Sequence, residues 1–368
     1  MKLSKTSPKI IISGGGTGGH IYPAIAIADE IKSRMPDAEI LFVGALGKME
    51  MEKIPKVGYP IVGLPIVGIN RSNLLSNFKF PSKLMKSLKI SNQILKEFKP
   101  DVAIGTGGFA SGPLLWQAAK RKIPIVIQEQ NSFPGITNKI LKNKAAAICV
   151  AYESISQFPA DKVKYTGNPI RSELFQNLMS PEEAKKKLGF DPNKKLILSI
   201  GGSQGSRTLN NAWEVDLQKI QNANVQLMWQ TGKLDYQTIQ QKLPEETKGI
   251  QFLEFIYDMK TAFAAADLIV SRAGAMAISE LSLVGKPLIL VPYPYAAEDH
   301  QTKNARALVD KKAALMLSDA EAKGKLVDLA LEVIEDEEKQ KELSQNLKKL
   351  GKPNATKEIV DILLSQIK

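Results

Sequence analysis

Lys9-Ile10-Ile11-Ile12-Ser13-Gly14-Gly15-Gly16-Thr17-Gly18-Gly19-His20 is the stretch that decides the fold class. The isoleucine run reads as a strand, and Ile21-Tyr22-Pro23-Ala24-Ile25-Ala26-Ile27-Ala28-Asp29-Glu30 reads as the helix after it. Between them lies a turn of almost continuous glycine. Without Cβ atoms its N–H groups can approach a phosphate closely, and the helix dipole favours negative charge there. His20 at the mouth of the turn adds a group that accepts a proton near neutral pH. The combination predicts chemistry on a phosphate-bearing substrate.

Two common phosphate loops do not fit. Gly14-x-Gly16-x-x-Gly19 satisfies the dinucleotide pattern, but a nicotinamide site wants an acidic residue ending the second strand to hold the ribose. Here Ile40-Leu41-Phe42-Val43 runs into Gly44, and Asp37 and Glu39 precede the strand. No Lys-Ser or Lys-Thr follows the glycines, so the turn is not a P-loop.

A chain of 368 residues with 43% apolar content predicts a globular protein of two domains. Cys149 is the single cysteine and lies in the apolar run 145–150, which reads as a buried thiol and excludes an internal disulfide. Neither a charged-then-apolar leader nor a run of about 20 apolar residues is present, so the expectation is no signal peptide, no spanning helix and a cytoplasmic chain. The net charge of +12 is lopsided. Residues 1–168 carry 23 Lys+Arg against 11 Asp+Glu, whereas 169–368 carry 27 of each. Residues 53–96 hold eight basic residues and no acidic one. Nucleic acid, a membrane surface or a polyanionic substrate would each suit such a field. No zinc pattern or RNA-recognition motif supports a nucleic-acid module.

Strand-like runs alternate with helical periods, the mark of a parallel α/β architecture. The first half reads as strands at 9–13, 39–43, 101–104, 123–127 and 146–150, with a helix over 82–99. Polar 162–168, ending at Pro169, places a domain boundary there. A second cycle opens with the strand 195–200 and the glycine turn Gly201-Gly202-Ser203-Gln204-Gly205-Ser206, then strands at 225–229, 250–252, 267–271 and 287–291. This gives domains at 1–168 and 169–350. Gly351-Lys352-Pro353 then precedes a last helix within 351–368, expected to cross back onto the first domain.

Ser271-Arg272-Ala273-Gly274-Ala275-Met276-Ala277-Ile278-Ser279-Glu280 places a small-residue turn between a strand and a helix, whose exposed N–H groups suit a diphosphate. Glu280 on that helix can accept two hydrogen bonds from a ribose diol. After the strand 288–291 comes Glu298-Asp299-His300-Gln301-Thr302-Lys303-Asn304, an amide-rich helix start suited to sugar hydroxyls.

These motifs together resemble the MurG glycosyltransferases. The resemblance rests on 15–20, on Gly105-Thr106-Gly107-Gly108-Phe109-Ala110-Ser111-Gly112-Pro113, and on Gln128-Glu129-Gln130-Asn131-x-x-Pro134-Gly135-x-x-Asn138-Lys139. It continues through Gly167-Asn168-Pro169-Ile170-Arg171, 201–206, Gln230-Thr231-Gly232-Lys233 and 271–306. The family implies a GT-B fold, two doubly wound Rossmann-like domains facing across a deep cleft. It implies inverting, metal-independent transfer of N-acetylglucosamine from UDP-N-acetylglucosamine (UDP-GlcNAc) to the 4-hydroxyl of the muramoyl sugar of lipid I, giving lipid II for peptidoglycan, with no cofactor. The absence of any Asp-x-Asp agrees with this.

By resemblance the donor lies mainly on the second domain. Ile256 would meet uracil through its backbone, Arg171 would sit near the nucleotide, Ser203 with the amides of Ala275, Met276, Ala277, Ile278 and Ser279 would hold the phosphates, and Glu280 the ribose. Gln301 and Asn131 would contact the sugar, with Thr17, Gly18 and Gly19 closing from the first domain. Gly15, Gly16, Gly107, Gly108, Ser111 and Glu129 would serve the acceptor. His20 is the expected general base, with Glu129 as the alternative. Leu74, Leu75, Phe78, Phe80, Leu84, Met85 and Leu88 among Lys79, Lys83, Lys86 and Lys89, with Trp116 nearby, read as an interfacial patch for anionic lipid. That implies a peripheral enzyme on the cytoplasmic face of the plasma membrane, with no nucleic-acid partner. A GT-B transferase with another acceptor, or an epimerase of UDP-GlcNAc, is the competing reading; the 128–139 block and the basic segment favour the lipid acceptor.

Overall fold

The computed structural model describes residues 7–68, 78–153, 155–170, 175–202, 204–243 and 247–367. Arg171, Ser203, Leu74 and Leu75, singled out above, lie outside them. The chain divides into two compact units, Met1–Arg171 with Lys352–Lys368, and Ser172–Gly351.

The first unit is built on seven parallel strands: β1 (Lys9–Gly14), β2 (Glu39–Ala45), β3 (Ile61–Leu64), β4 (Val102–Gly107), β5 (Ile125–Glu129), β6 (Ala147–Val150) and β7 (Val163–Tyr165). Their order is β3-β2-β1-β4-β5-β6-β7. Helices α1 (Gly18–Arg34), α2 (Glu50–Lys56), α3 (Phe80–Phe98), α4 (Ser111–Lys120) and α5 (Ile136–Leu141) connect them. A parallel sheet covered on both faces needs near-continuous apolar strands, and Ile10, Ile11 and Ile12 are all fully buried. Ile10 and Ile12 join one core layer with α1, while Ile11 joins the opposite layer with α4. Cys149 sits in β6 between these layers, where burial pushes its thiol up to about 12.

The second unit contains α6 (Pro181–Lys187), β8 (Leu196–Ile200), α7 (Arg207–Val215), α8 (Leu217–Asn222), β9 (Gln226–Gln230), α9 (Tyr236–Lys242) and β10 (Ile250–Leu253). It continues with α10 (Met259–Ala265), β11 (Leu268–Ser271), α11 (Ala275–Val284), β12 (Leu288–Leu290), α12 (His300–Val309), β13 (Leu315–Met316), α13 (Asp319–Glu335) and α14 (Glu337–Leu350). Its six strands are again all parallel, in the order β10-β9-β8-β11-β12-β13. The last helix, α15 (Ala355–Leu364), belongs to the first unit. It buries Ile359, Val360 and Leu363 beside α1, and Arg34 Nη1 donates to Asp361 Oδ1 at 2.5 Å.

Three strands escape the sequence reading, β3, β7 and β13, and all are short edge strands. β7 is the clearest case. Its polar Val163-Lys164-Tyr165 reads as a connection, yet Val163, Lys164 and Tyr165 align with Ile148, Cys149 and Val150 of β6. An edge strand has one free side and carries polar residues that a central strand would exclude.

Each sheet reverses its winding once, between β1 and β4 in the first unit and between β8 and β11 in the second. Doubly wound sheets bind ligands outside the carboxyl ends of the strands at this switch point. The glycine turns 14–19 and 105–112 follow β1 and β4, and the turns 201–206 and 272–275 follow β8 and β11. Topology therefore pairs motifs that lie far apart in sequence.

Candidate active site

In the first unit the two glycine turns touch. Gly15 N–H donates to Gly107 O at 3.4 Å, and a Cβ on Gly108 would lie 2.3 Å from Gly15 O. A Cβ on Gly107 would stand 2.7 Å from the His20 ring, and its φ of +101° already favours glycine. Glycine at 107 and 108 is thus required by packing as well as by conformation. Ser111 secures the junction, its buried hydroxyl shared between Ser13 O (2.9 Å) and Gly107 O (2.8 Å).

The turn's amides are not all available to an anion. Gly16 N–H donates to Glu50 Oε2 at 2.8 Å, while Oε1 of that fully buried carboxylate accepts from Ala45 N–H at 2.9 Å. Glu50 thereby fixes the turn at Gly16, whose φ is +85°. Thr17 is the N-cap of α1 and makes no side-chain bond to it. The first-turn N–H groups at Gly18 and Gly19 have no acceptor within the helix. The amides that the turn does not itself consume are therefore those at its helix end, and Gly15 and Gly16 brace it. The Gly15 and Gly16 amides and the Ser111 hydroxyl, all expected at the acceptor, are thus each bonded within the protein.

His20 lies in the first turn of α1, partly exposed, with Nδ1 3.1 Å from Gln130 Oε1. Its carbonyl accepts from Thr106 Oγ1 at 2.7 Å. Glu129, at the end of β5, behaves differently. One carboxylate oxygen accepts from Asn131 N–H (3.0 Å) and Asn131 Nδ2 (3.3 Å), the other from Gly135 N–H (3.0 Å) and Asn138 Nδ2 (2.8 Å). A buried carboxylate holding four donors organises the 131–138 loop. Glu129, expected as an acceptor contact or the alternative base, would have to release one of these bonds to take a hydroxyl proton.

In the second unit, α11 begins at Ala275 with Gly274 as N-cap. Ile278 N–H donates to Gly274 O at 2.9 Å and its side chain is buried, so this amide is already bonded within the helix start. The amides of Met276 and Ala277 precede it in the first turn, where the helix supplies no acceptor. Ser279 Oγ donates to Ala275 O at 3.0 Å. Glu280, one residue on, is partly buried, and no donor reaches its carboxylate among the described residues. Burial alone raises its pKa to about 7.

Gln301 Oε1 accepts from Ala273 N–H (3.2 Å) and Tyr293 N–H (3.0 Å), tying the loop after β11 to the loop after β12 and leaving its amide NH₂ as the outward donor. The neighbouring Thr302 hydroxyl is spent on Asp299 Oδ1 at 2.6 Å. Glu298 and Asp299 both adopt left-handed backbone (φ +56° and +55°) at the entry to α12, a strained turn that the surrounding contacts must hold. Arg272, which drew no role from the sequence, clamps the same loops. Its Nη1 donates to Val291 O (3.0 Å), Pro292 O (3.2 Å) and Asp319 Oδ1 (2.5 Å). Ile256 N–H donates to Gln230 Oε1 at 2.9 Å, so only its carbonyl is left to meet a base. Gln230 in turn donates to Gly202 O at 2.9 Å, linking that position to the glycine turn after β8.

Residues 10–150 match the glycosyltransferase family 28 N-terminal domain and residues 196–359 its C-terminal domain. The chain is 51% identical, over 98% of its own length and 98% of the relative's, to the UDP-N-acetylglucosamine--N-acetylmuramyl-(pentapeptide) pyrophosphoryl-undecaprenol N-acetylglucosamine transferase of Parabacteroides distasonis. It is 51% identical, over 97% of each chain, to the protein of the same name from Christiangramia forsetii. The crystal structure of Acinetobacter baumannii MurG superposes with a TM-score of 0.80 at 26% identity, covering 97% of this chain and 99% of that one. The two parallel-sheet units are those of the GT-B fold. The chain belongs to glycosyltransferase family 28, and within it to the MurG glycosyltransferases.

Proposed function

We infer that this chain transfers N-acetylglucosamine from UDP-GlcNAc to the muramoyl sugar of lipid I, giving lipid II. The observation that carries the reading is half identity, over nearly the whole of both chains, to transferases named for that reaction. Competing acceptors and an epimerase would not account for likeness of that extent across both units.

In the proposed displacement the acceptor 4-hydroxyl oxygen bonds to C1 of the donor sugar as the bond from C1 to the UDP oxygen breaks, inverting that carbon. His20 takes the hydroxyl proton. Negative charge grows on the departing diphosphate, and the first-turn amides of α11 at Met276 and Ala277 stabilise it through the helix N-terminus. Ala275 and Ser279 flank that turn. Glu280, without a donor among the described residues, accepts from the ribose diol, and the Gln301 NH₂ donates to the sugar. Arg171 and Ser203 remain assigned to the nucleotide by motif alone. Thr17, Gly18 and Gly19 remain assigned to the donor by motif, and their turn, with the bend at Gly107 and Gly108, suits the pyrophosphate of the acceptor. Asn131 reaches the sugar from a loop that Glu129 holds rigid. The test is transfer of labelled sugar from UDP-GlcNAc to a water-soluble lipid I analogue. Transfer is expected, with EDTA leaving its rate unchanged, and no product would refute the assignment.

For membrane attachment we propose a peripheral contact through α3. Among the described residues no helix is long and apolar enough to cross a membrane. Phe78 and Met85 are largely exposed, at 89% and 62%, beside Lys79, Lys83, Lys86 and Lys89. Phe80, Leu84 and Trp116 instead pack against the core of the first unit, which narrows the apolar patch. Reversing the four lysines to glutamate is expected to abolish sedimentation with anionic vesicles, since each basic residue near such a surface contributes about 1 kcal/mol. Turnover of a soluble acceptor should survive. Undiminished vesicle binding would move the attachment elsewhere.

A further inference from the structure

A closed set of side-chain amides from β5, the loop after it and the segment after β7 meets the His20 ring. Gln130 Nε2 lies 2.7 Å from the backbone carbonyl of Thr106, a group that can only accept, so this atom of the Gln130 amide must be the donor. Gln130 Oε1 is therefore the atom facing His20 Nδ1 at 3.1 Å. A second backbone carbonyl fixes the remaining amides. Asn168 Nδ2 donates to Gln130 O at 3.2 Å, which turns Asn168 Oδ1 toward Gln128 Nε2 at 2.9 Å. That in turn aims Gln128 Oε1 at Gln130 Nε2, closing the ring of contacts. Gln128, Gln130 and Asn168 are 0%, 1% and 2% exposed, so solvent cannot substitute for any of these bonds. The two carbonyls thus fix Gln130 and Asn168, and those two amides fix Gln128.

We propose that Gln130 is a positioning residue that holds the neutral His20 imidazole with its proton on Nδ1, so that Nε2 is the nitrogen that can take a proton, with Gln128 and Asn168 locking Gln130. An acceptor oxygen opposite Nδ1 requires the hydrogen there. A free imidazole favours the other tautomer, whose Nε2 already carries a proton and cannot take one. The partner's neutrality matters too. A carboxylate in this place would stabilise the imidazolium and raise the ring's proton affinity, whereas an amide orients the ring without a charge. The use made of Nε2 rests on His20 being the base; the tautomer itself does not.

The test is ¹⁵N-resolved imidazole NMR on the full chain above the ring's titration range. The only other histidine, His300, is identified by His300→Gln. The wild-type His20 ring should show one tautomer, protonated at Nδ1. A ring protonated at Nε2, or averaged between the two, overturns the proposal without any variant being needed. Gln130→Met removes the acceptor at similar volume. It should convert the ring largely to the Nε2–H form and lower kcat about 10-fold to 100-fold, with donor KM and the acidic limb of the kcat–pH profile retained. A Gln130→Met enzyme that keeps the Nδ1–H ring or wild-type kcat refutes the role of Gln130. A wild-type Nδ1–H ring combined with a fully active His20→Asn enzyme would instead remove His20 as base while leaving the tautomer assignment in place.

Discussion

Replacing His20 with alanine should lower kcat about 10²-fold to 10⁴-fold while donor affinity stays as in the wild type. The ring sits where the glycine turns after β1 and β4 meet, packed against Gly107 and addressed by Gln130. The diphosphate and ribose groups at α11 are assigned to the second unit, so removing the ring is expected to leave UDP binding intact. The pH profile distinguishes chemistry from shape. A base must be unprotonated to act, so wild-type kcat should fall as pH drops through the ring's titration, and this acidic limb should vanish with His20. If the ring only supported the turn, acceptor KM would rise and the limb would remain. His20→Asn keeps a hydrogen-bonding side chain that takes no proton in this range. Near-normal kcat in that variant would exclude His20 as the base. That outcome would turn attention to Glu129, whose carboxylate would first have to release Asn131, Gly135 or Asn138.

The parts of this site that were legible in the sequence share a local cause. A strand, a run of glycines and a helix start are consecutive in the chain, and their chemistry follows from backbone geometry alone. The turns at 14–19, 105–112 and 271–280 could be read for that reason, and so could the central strands that precede them. Edge strands such as β7 could not, since a strand with one unpaired side tolerates the polarity of a connection.

Side-chain roles divide in the same way. Glu50 looks like a surface residue of a short helix, among Met49, Met51 and Glu52, and only the packing of α2 carries it under Gly16. Glu129 looks reactive in sequence because a carboxylate in a loop of amides has many possible partners. Its role emerges once all four donors are counted. Gln128, Gln130 and Asn168 are separated by up to 40 residues and meet only because topology brings the loop after β5 to the segment after β7. Arg272 stands inside a motif whose neighbours drew attention to backbone amides, and its own work is to hold the loop after β12. In each case the residue was visible and its partner was not.

UDP affinity should rise with pH through about 7 and lose that dependence in Glu280→Gln. Burial without a donor among the described residues raises the Glu280 pKa from 4.5 to about 7 in the free protein. The sign of the stability effect follows. The folded state holds this proton more tightly than the unfolded chain, so the contribution is fully present below pH 4.5 and is lost as pH rises through about 7. At higher pH the free enzyme carries a desolvated carboxylate without a donor, and Glu280→Gln should unfold at a higher temperature there. Ligand reverses the balance. Two ribose hydroxyls donating to the carboxylate favour its charged form, so binding below pH 7 should release a proton, detectable by calorimetry in buffers of different ionisation enthalpy. The terminal phosphate of UDP titrates nearby, and the Glu280→Gln enzyme serves as the reference that subtracts it. Loss of the charge-assisted pair should cost about 1.5–3 kcal/mol, a weakening of roughly 10-fold to 150-fold. 2′-Deoxy-UDP should bind the wild type more weakly and be discriminated far less by Glu280→Gln. A Glu280→Gln enzyme that bound UDP with wild-type affinity and the wild-type pH response would place the ribose on another residue. It would also leave this carboxylate without an explanation for the stability it costs.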